Sequence, residues 1–137
     1  RRGTTLGYST YLGGQRNDNG LSIAVEGGRA SVTGLTGAND AGPGENDFPT
    51  TPNAAQPVFG GFFDAFVTTL DGHASSLDYS TYLGGSDYDE GDGIAFGADR
   101  AFVAGSAGSG FPTTAHAFQP TFAGGFSDAF VTKLKTN

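Results

Sequence analysis

The chain has 137 residues, enough for one small domain with a real core and too few for two independent ones. Its formal charge of −7, with only 7 Lys and Arg, argues against a nucleic-acid partner, whose phosphates such a surface would repel. Cys, Met and Trp are absent and no run approaches the ~18 apolar residues of a membrane helix, so neither disulfide stapling nor membrane insertion is expected.

Aromatic and β-branched residues fall in short alternating runs punctuated by Gly, Asp, Asn and Pro, which predicts many short strands and an all-β fold. The first run is Leu6–Gly14, in which Leu6, Tyr8, Thr10 and Leu12 alternate with small or polar neighbours. Leu21–Val25 and Arg29–Leu35 form a predicted hairpin around Glu26-Gly27-Gly28, where glycine supplies positive φ. An irregular stretch from Thr36 to Gly61 precedes a third strand, Asp64–Leu70, with Phe66 and Leu70 on one face and Ala65, Val67 and Thr69 on the other. A turn at Asp71–Ser75 leads into a fourth strand, Leu77–Leu83, and then come Gly93–Gly97, Arg100–Ser106 and Asp128–Leu134.

These runs repeat. YSTYLGG occurs at Tyr8–Gly14 and again at Tyr79–Gly85, an offset of 71 residues that also carries Ile23 onto Ile94 and Arg29 onto Arg100. FPTT at Phe48–Thr51 returns at Phe111–Thr114, and DAFVT at Asp64–Thr68 returns at Asp128–Thr132. The chain is thus two tandem copies of one unit, and such a unit buries its apolar face only against its neighbours. The divisions read as 1–14, a lone outer strand; 15–85, a first unit; and 86–137, a second unit without its outer strand. That complementarity is the arithmetic of a β-propeller, in which strands from the two ends of a chain complete one blade. The expected architecture is two four-stranded antiparallel blades, the last completed by the N-terminal strand of a neighbouring copy. Arg1-Arg2-Gly3 runs straight into the repeat, as expected where a leader has been removed or the chain is a piece of a longer one.

The ordered motifs YSTYLGG, IAV or IAF, VTG or VAG, FPTT, AFQP and DAFVTKL resemble the SBBP family of bacterial β-propeller repeats, from Leu6 to Leu134. The resemblance implies a secreted or cell-surface propeller-type protein with no enzyme chemistry. This chain departs from it in a Gly37–Asp47 segment about eight residues longer than its counterpart, and in Ala55 where the second copy has Phe118.

The acidic stretch Ser86–Gly93 sets Asp87, Asp89 and Asp92 among glycines, an oxygen-rich pattern of the kind that can hold Ca²⁺; it matches no EF-hand spacing, and an Asp turn bonded to its own backbone is the plainer reading. Calcium is the one cofactor the sequence suggests. The first copy offers only Asn17-Asp18-Asn19-Gly20 there, and the insertion Asn39–Asp47 reads as a solvated excursion. His73 and His116 stand in a turn and a loop with no nucleophile elbow near them, so no catalytic residue is assigned and the chain is read as a non-enzyme. Tyr8, Tyr11, Tyr79, Tyr82, Phe62, Phe63 and Phe126 are expected to pack blade against blade.

The expected function is extracellular and structural: copies join head to tail through Leu6, Tyr8, Thr10 and Leu12 of the N-terminal strand, into a ring or a filament. The alternative is a lectin-like module of a cell-surface adhesin, with Thr50, Thr113, Gln56 and Gln119 lining glycan pockets once per blade.

Overall fold

The structure is a computed structural model that describes residues 3–136. Arg1 and Arg2 of the expected closing segment, and Asn137 of the second unit, lie outside the described residues. The fold is all-β and consists of two open antiparallel sheets. The first has four strands in sequential order: β1 (Asn17–Glu26), β2 (Arg29–Gly37), β3 (Phe63–Leu70) and β4 (Leu77–Leu83). The second has three: β5 (Asp89–Gly97), β6 (Arg100–Ala107) and β7 (Asp128–Lys135).

The two sheets repeat each other in register. Gly20 pairs with Gly34 and Gly91 with Gly105, and a bulge follows at the same place in each, at Leu21 and at Asp92. The hairpin turn is Gly27-Gly28 in the first sheet, with φ of +59° and +83°. In the second it is Ala98-Asp99 at +52° and +55°, the same left-handed pair held by residues that adopt it at a cost.

Each face of the first sheet is covered differently. Ala65, Val67, Tyr79 and Leu83 meet Ala101, Val103, Ala107, Phe130 and Leu134 of the second sheet in one buried core. On the opposite face, the long β2–β3 connection folds back so that Ala41, Phe48 and Phe59 cover Phe66 and Tyr82. The alternation along β4 sends Tyr79 and Leu83 into the first core and Tyr82 into the second. Tyr82 therefore packs under a loop, not blade against blade. In the second sheet Phe111 stacks on Phe130 at 4.4 Å and 31°, nearly the geometry of Phe48 on Phe66 at 4.5 Å and 34°.

Within its own chain Leu6–Gly14 pairs with no strand among the described residues, which leaves its backbone groups to water. One expectation is corrected: the acidic stretch is mostly strand, because β5 begins at Asp89 and pairs with Ala107, so only Ser86–Tyr88 remains as connection.

Candidate assembly interface

The junction between the sheets shows what each sheet requires of a neighbour. Across it, β4 supplies Tyr79 and Leu83, β3 supplies Ala65 and Val67, and the receiving face presents Ile94, Val103, Phe130 and Leu134. The first sheet carries the same receiving face one repeat earlier, as Ile23, Val32, Phe66 and Leu70. Here it opens into a groove of about 290 Å³ whose other wall is Tyr8, Ser9, Thr10 and Leu12. Tyr8 and Leu12 are the repeat counterparts of Tyr79 and Leu83, so the N-terminal segment lies on the first sheet with the residues that β4 lays on the second. Leu12 is part-buried against the cluster that holds Phe48, Phe66 and Tyr82, and Thr10 spends its hydroxyl on the carbonyl of Tyr11. What the groove lacks is a counterpart of Ala65 and Val67. Ile23, the partner of Val32, stays 62% exposed.

At the other end of the molecule, β7 presents that missing pair. Ala129 and Val131 repeat Ala65 and Val67, and Val131 is 81% exposed where Val67 is fully buried. Phe102 on β6 lies on the same outward face and is half exposed. Among the described residues the outer edge of β7 pairs with no strand.

The loops repeat the mismatch. In the first unit the FPTT loop clasps the outer edge of β4: Thr51 N–H donates to the Ser80 carbonyl at 3.0 Å, and Tyr82 N–H donates to the Gln56 carbonyl at 3.1 Å. The Gln56 amide donates to Asp64 at 3.0 Å and to the Val58 carbonyl, while its oxygen accepts from Gly84 N–H at 3.0 Å. In the second unit Gln119 makes the same donations, to Asp128 at 2.9 Å and to the Thr121 carbonyl. The glutamines proposed for glycan pockets are thus committed to the frame of each unit. Thr50 is half-buried, and Thr113 is exposed but donates to the Pro120 carbonyl.

The candidate calcium ligands do not converge. Asp89 is buried and accepts from Gly85 N–H and Gly108 N–H, at 2.6 and 3.0 Å. Asp87 caps Ser109 N–H, and Asp92 is exposed at the bulge. Among the described residues no cluster of three His, Cys, Asp or Glu side chains could hold a metal ion. His73 and His116 are exposed and far apart along the chain. Phe62, Phe63 and Phe126 gather with Tyr88 at one end of the junction, with ring centroids 5.2–6.4 Å apart.

The feature that sequence reading missed is a buried carboxylate pair. Asp64, the second residue of β3, is fully buried and holds Gly60 N–H and Gln56 with Oδ2 while its Oδ1 has no partner. Asp89 lies across the junction, and the two carboxylates flank Gly84, where a Cβ would come 2.7 Å from Asp64 Oδ1 and 2.8 Å from Asp89 Oδ2. Burial and the neighbouring Asp89 push Asp64 up to about 7, and burial pushes Asp89 up to about 6. The available signal was Asp at the start of both DAFVT copies.

In comparison with known proteins, no family model matches this chain, and no curated protein or solved structure does.

Proposed function

We propose that this chain is a non-enzymatic, self-assembling β-propeller-type repeat protein of the SBBP kind, working outside the cell as a structural element. Copies join head to tail: the segment Leu6–Leu12 of one copy adds as a fourth strand to β7 of another, while the outward face of β6–β7 fills the groove beside Ile23 and Val32. The observation that carries this reading is the equivalence of the filled junction and the two open half-junctions, in which Tyr8, Leu12, Ile23, Val32, Phe66, Leu70, Ala129 and Val131 repeat Tyr79, Leu83, Ile94, Val103, Phe130, Leu134, Ala65 and Val67. Transferring the β3–β4 register, in which Ala65 faces Leu83 and Val67 faces Thr81, sets Ala129 opposite Leu12 and Val131 opposite Thr10. Tyr11, wholly exposed here, then takes the place of Tyr82, which is 2% exposed and donates its hydroxyl to the carbonyls of Asn46 and Phe48. Added strands gain backbone hydrogen bonds along their length and specificity from alternate side chains.

Sedimentation velocity over a range of concentrations tests this. The full chain is expected to form species larger than one copy, and both deletion of residues 1–14 and Val131→Asp should leave single folded copies. A single-copy mass at every concentration, or assembly unchanged by both variants, overturns the proposal.

A further inference from the structure

We propose that this assembly is proton-linked: each joint buries Asp128 of one copy against Asp18 of the next, so copies join in mildly acidic solution and part as the pH rises. The inference rests on the strand-addition reading above and names its regulation.

Both carboxylates already stand in the half-junctions with the geometry of the buried pair. Asp128 Oδ2 accepts from Gln119 Nε2 at 2.9 Å and Ala123 N–H at 2.8 Å, as Asp64 Oδ2 accepts from Gln56 and Gly60 N–H at 3.0 and 2.8 Å. Asp18 Oδ2 accepts from Gly14 N–H at 2.8 Å, as Asp89 accepts from Gly85 N–H at 2.6 Å. Gly13 approaches the Asp18 carboxylate as Gly84 approaches that of Asp89. Joining two copies in the register of the filled junction therefore brings Asp128 and Asp18 to either side of Gly13, out of water. Two like charges cannot both stay ionised there without a large penalty, so one proton is taken up per joint.

Other polar and charged groups surround the pair. Asp18 also accepts from Thr36 Oγ1 at 2.5 Å, a donor whose counterpart at the filled junction is Ala107. The counterpart of Asp87 is Arg16, which is paired with Asp40 at 3.3 Å and donates to the Glu45 carbonyl. Asp47 also stands on this side, accepting from Gln15 N–H at 2.7 Å. Asp128 would face Asp18, Gly13 and the phenol of Tyr11, with Lys133 and Lys135 at the far end of its own strand. At the filled junction none of the ion pairs among the described residues involves Asp64 or Asp89, and the same kind of burial raises Asp64 to about 7.

The test is sedimentation velocity of the full chain at pH 5 and pH 8, in EDTA at fixed ionic strength, for wild type and Asp128→Asn. EDTA keeps a divalent cation from bridging the carboxylates, and the exposed His73 and His116 are present in both proteins. A shift from the ordinary carboxylate range to about that of Asp64 weakens association on the order of 100-fold between these pH values. Asp128→Asn keeps an acceptor for Gln119 and Ala123 N–H and should assemble within about threefold of equally at both. Wild-type assembly that is independent of pH, or pH dependence that survives Asp128→Asn unchanged, overturns the inference and leaves strand addition standing. A single-copy mass at both pH values removes strand addition, and the inference with it.

Discussion

At the scale of single residues, the buried Asp64–Asp89 pair governs how stability depends on pH. Both groups are raised by burial, so between about pH 4 and pH 7 the folded chain holds protons that the unfolded chain has released. Their contribution is complete below the ordinary carboxylate range and is lost as pH rises through about 6 and 7. Asp47 and Asp71 are lowered, by hydrogen bonds from Gln15 and Ser75, so what they contribute is lost only in stronger acid. Urea unfolding is therefore expected to give a higher midpoint at pH 5 than at pH 8, and Asp64→Asn should flatten that difference. Gly84 is sensitive for the same reason. A methyl group there would come 2.6 Å from Asp64 Cγ inside a closed junction, so Gly84→Ala should cost about 1–3 kcal/mol by the same measurement. An unchanged midpoint would mean that the two carboxylates are free to swing away.

At the scale of elements, the two long β2–β3 and β6–β7 connections share a sequence but not a burden. Phe48 is 3% exposed and packs with Phe59, Phe66 and Tyr82, whereas Phe111 finds Phe130 and is only part-buried. The difference is β4, which supplies Tyr82 and an edge for the loop to clasp. Phe48→Ala is expected to cost about 3–5 kcal/mol, the range for removing a buried aromatic, and Phe111→Ala clearly less. Equal losses in thermal or urea unfolding would contradict the unequal covering seen here. If copies add strands as proposed, the two losses should converge at concentrations where assembly is complete.

At the scale of the whole molecule, the proposed joint lacks a set of contacts that the filled junction has. Arg29 reaches across it to Asp99 at 2.5 Å and lies over the Phe96 ring at 5.2 Å, while Glu26 accepts from Ala98 N–H. The counterparts of Asp99 and Phe96 at the joint are Gly28 and Val25, which offer neither carboxylate nor ring. The joint between copies is thus expected to open before the junction within a copy, and dilution should release folded two-sheet units, not unfolded chain. Circular dichroism on diluted samples checks this: strand signal that falls together with particle size would contradict it. Propellers of four to eight blades would correspond to rings of two to four copies, and negative-stain images separate such rings from an open filament.

The sequence by itself determined the strands, because alternation and turn residues act locally. The Gly27-Gly28 hairpin, the faces of β3 and the span Leu77–Leu83 follow from residues that are neighbours along the chain. It also determined that there are two equivalent units, since repetition is a property of letters. What it did not show is which groups meet across the sheets. The acidic stretch looked like a loop because Asp and Gly dominate it, but pairing with Gly105 and Ala107 draws Asp89 into β5 and points its carboxylate inward. Asp64 looked like an ordinary residue at a strand start, yet the approach of the second sheet removes it from water. The Leu6–Gly14 motif matches a strand letter for letter, and still no strand forms within the chain, because a strand is made by the edge beside it. Only tertiary structure decides which edges and charges have neighbours: burial and pairing depend on distance in space, and Asp64 and Asp89, which meet across the sheets, stand far apart along the chain.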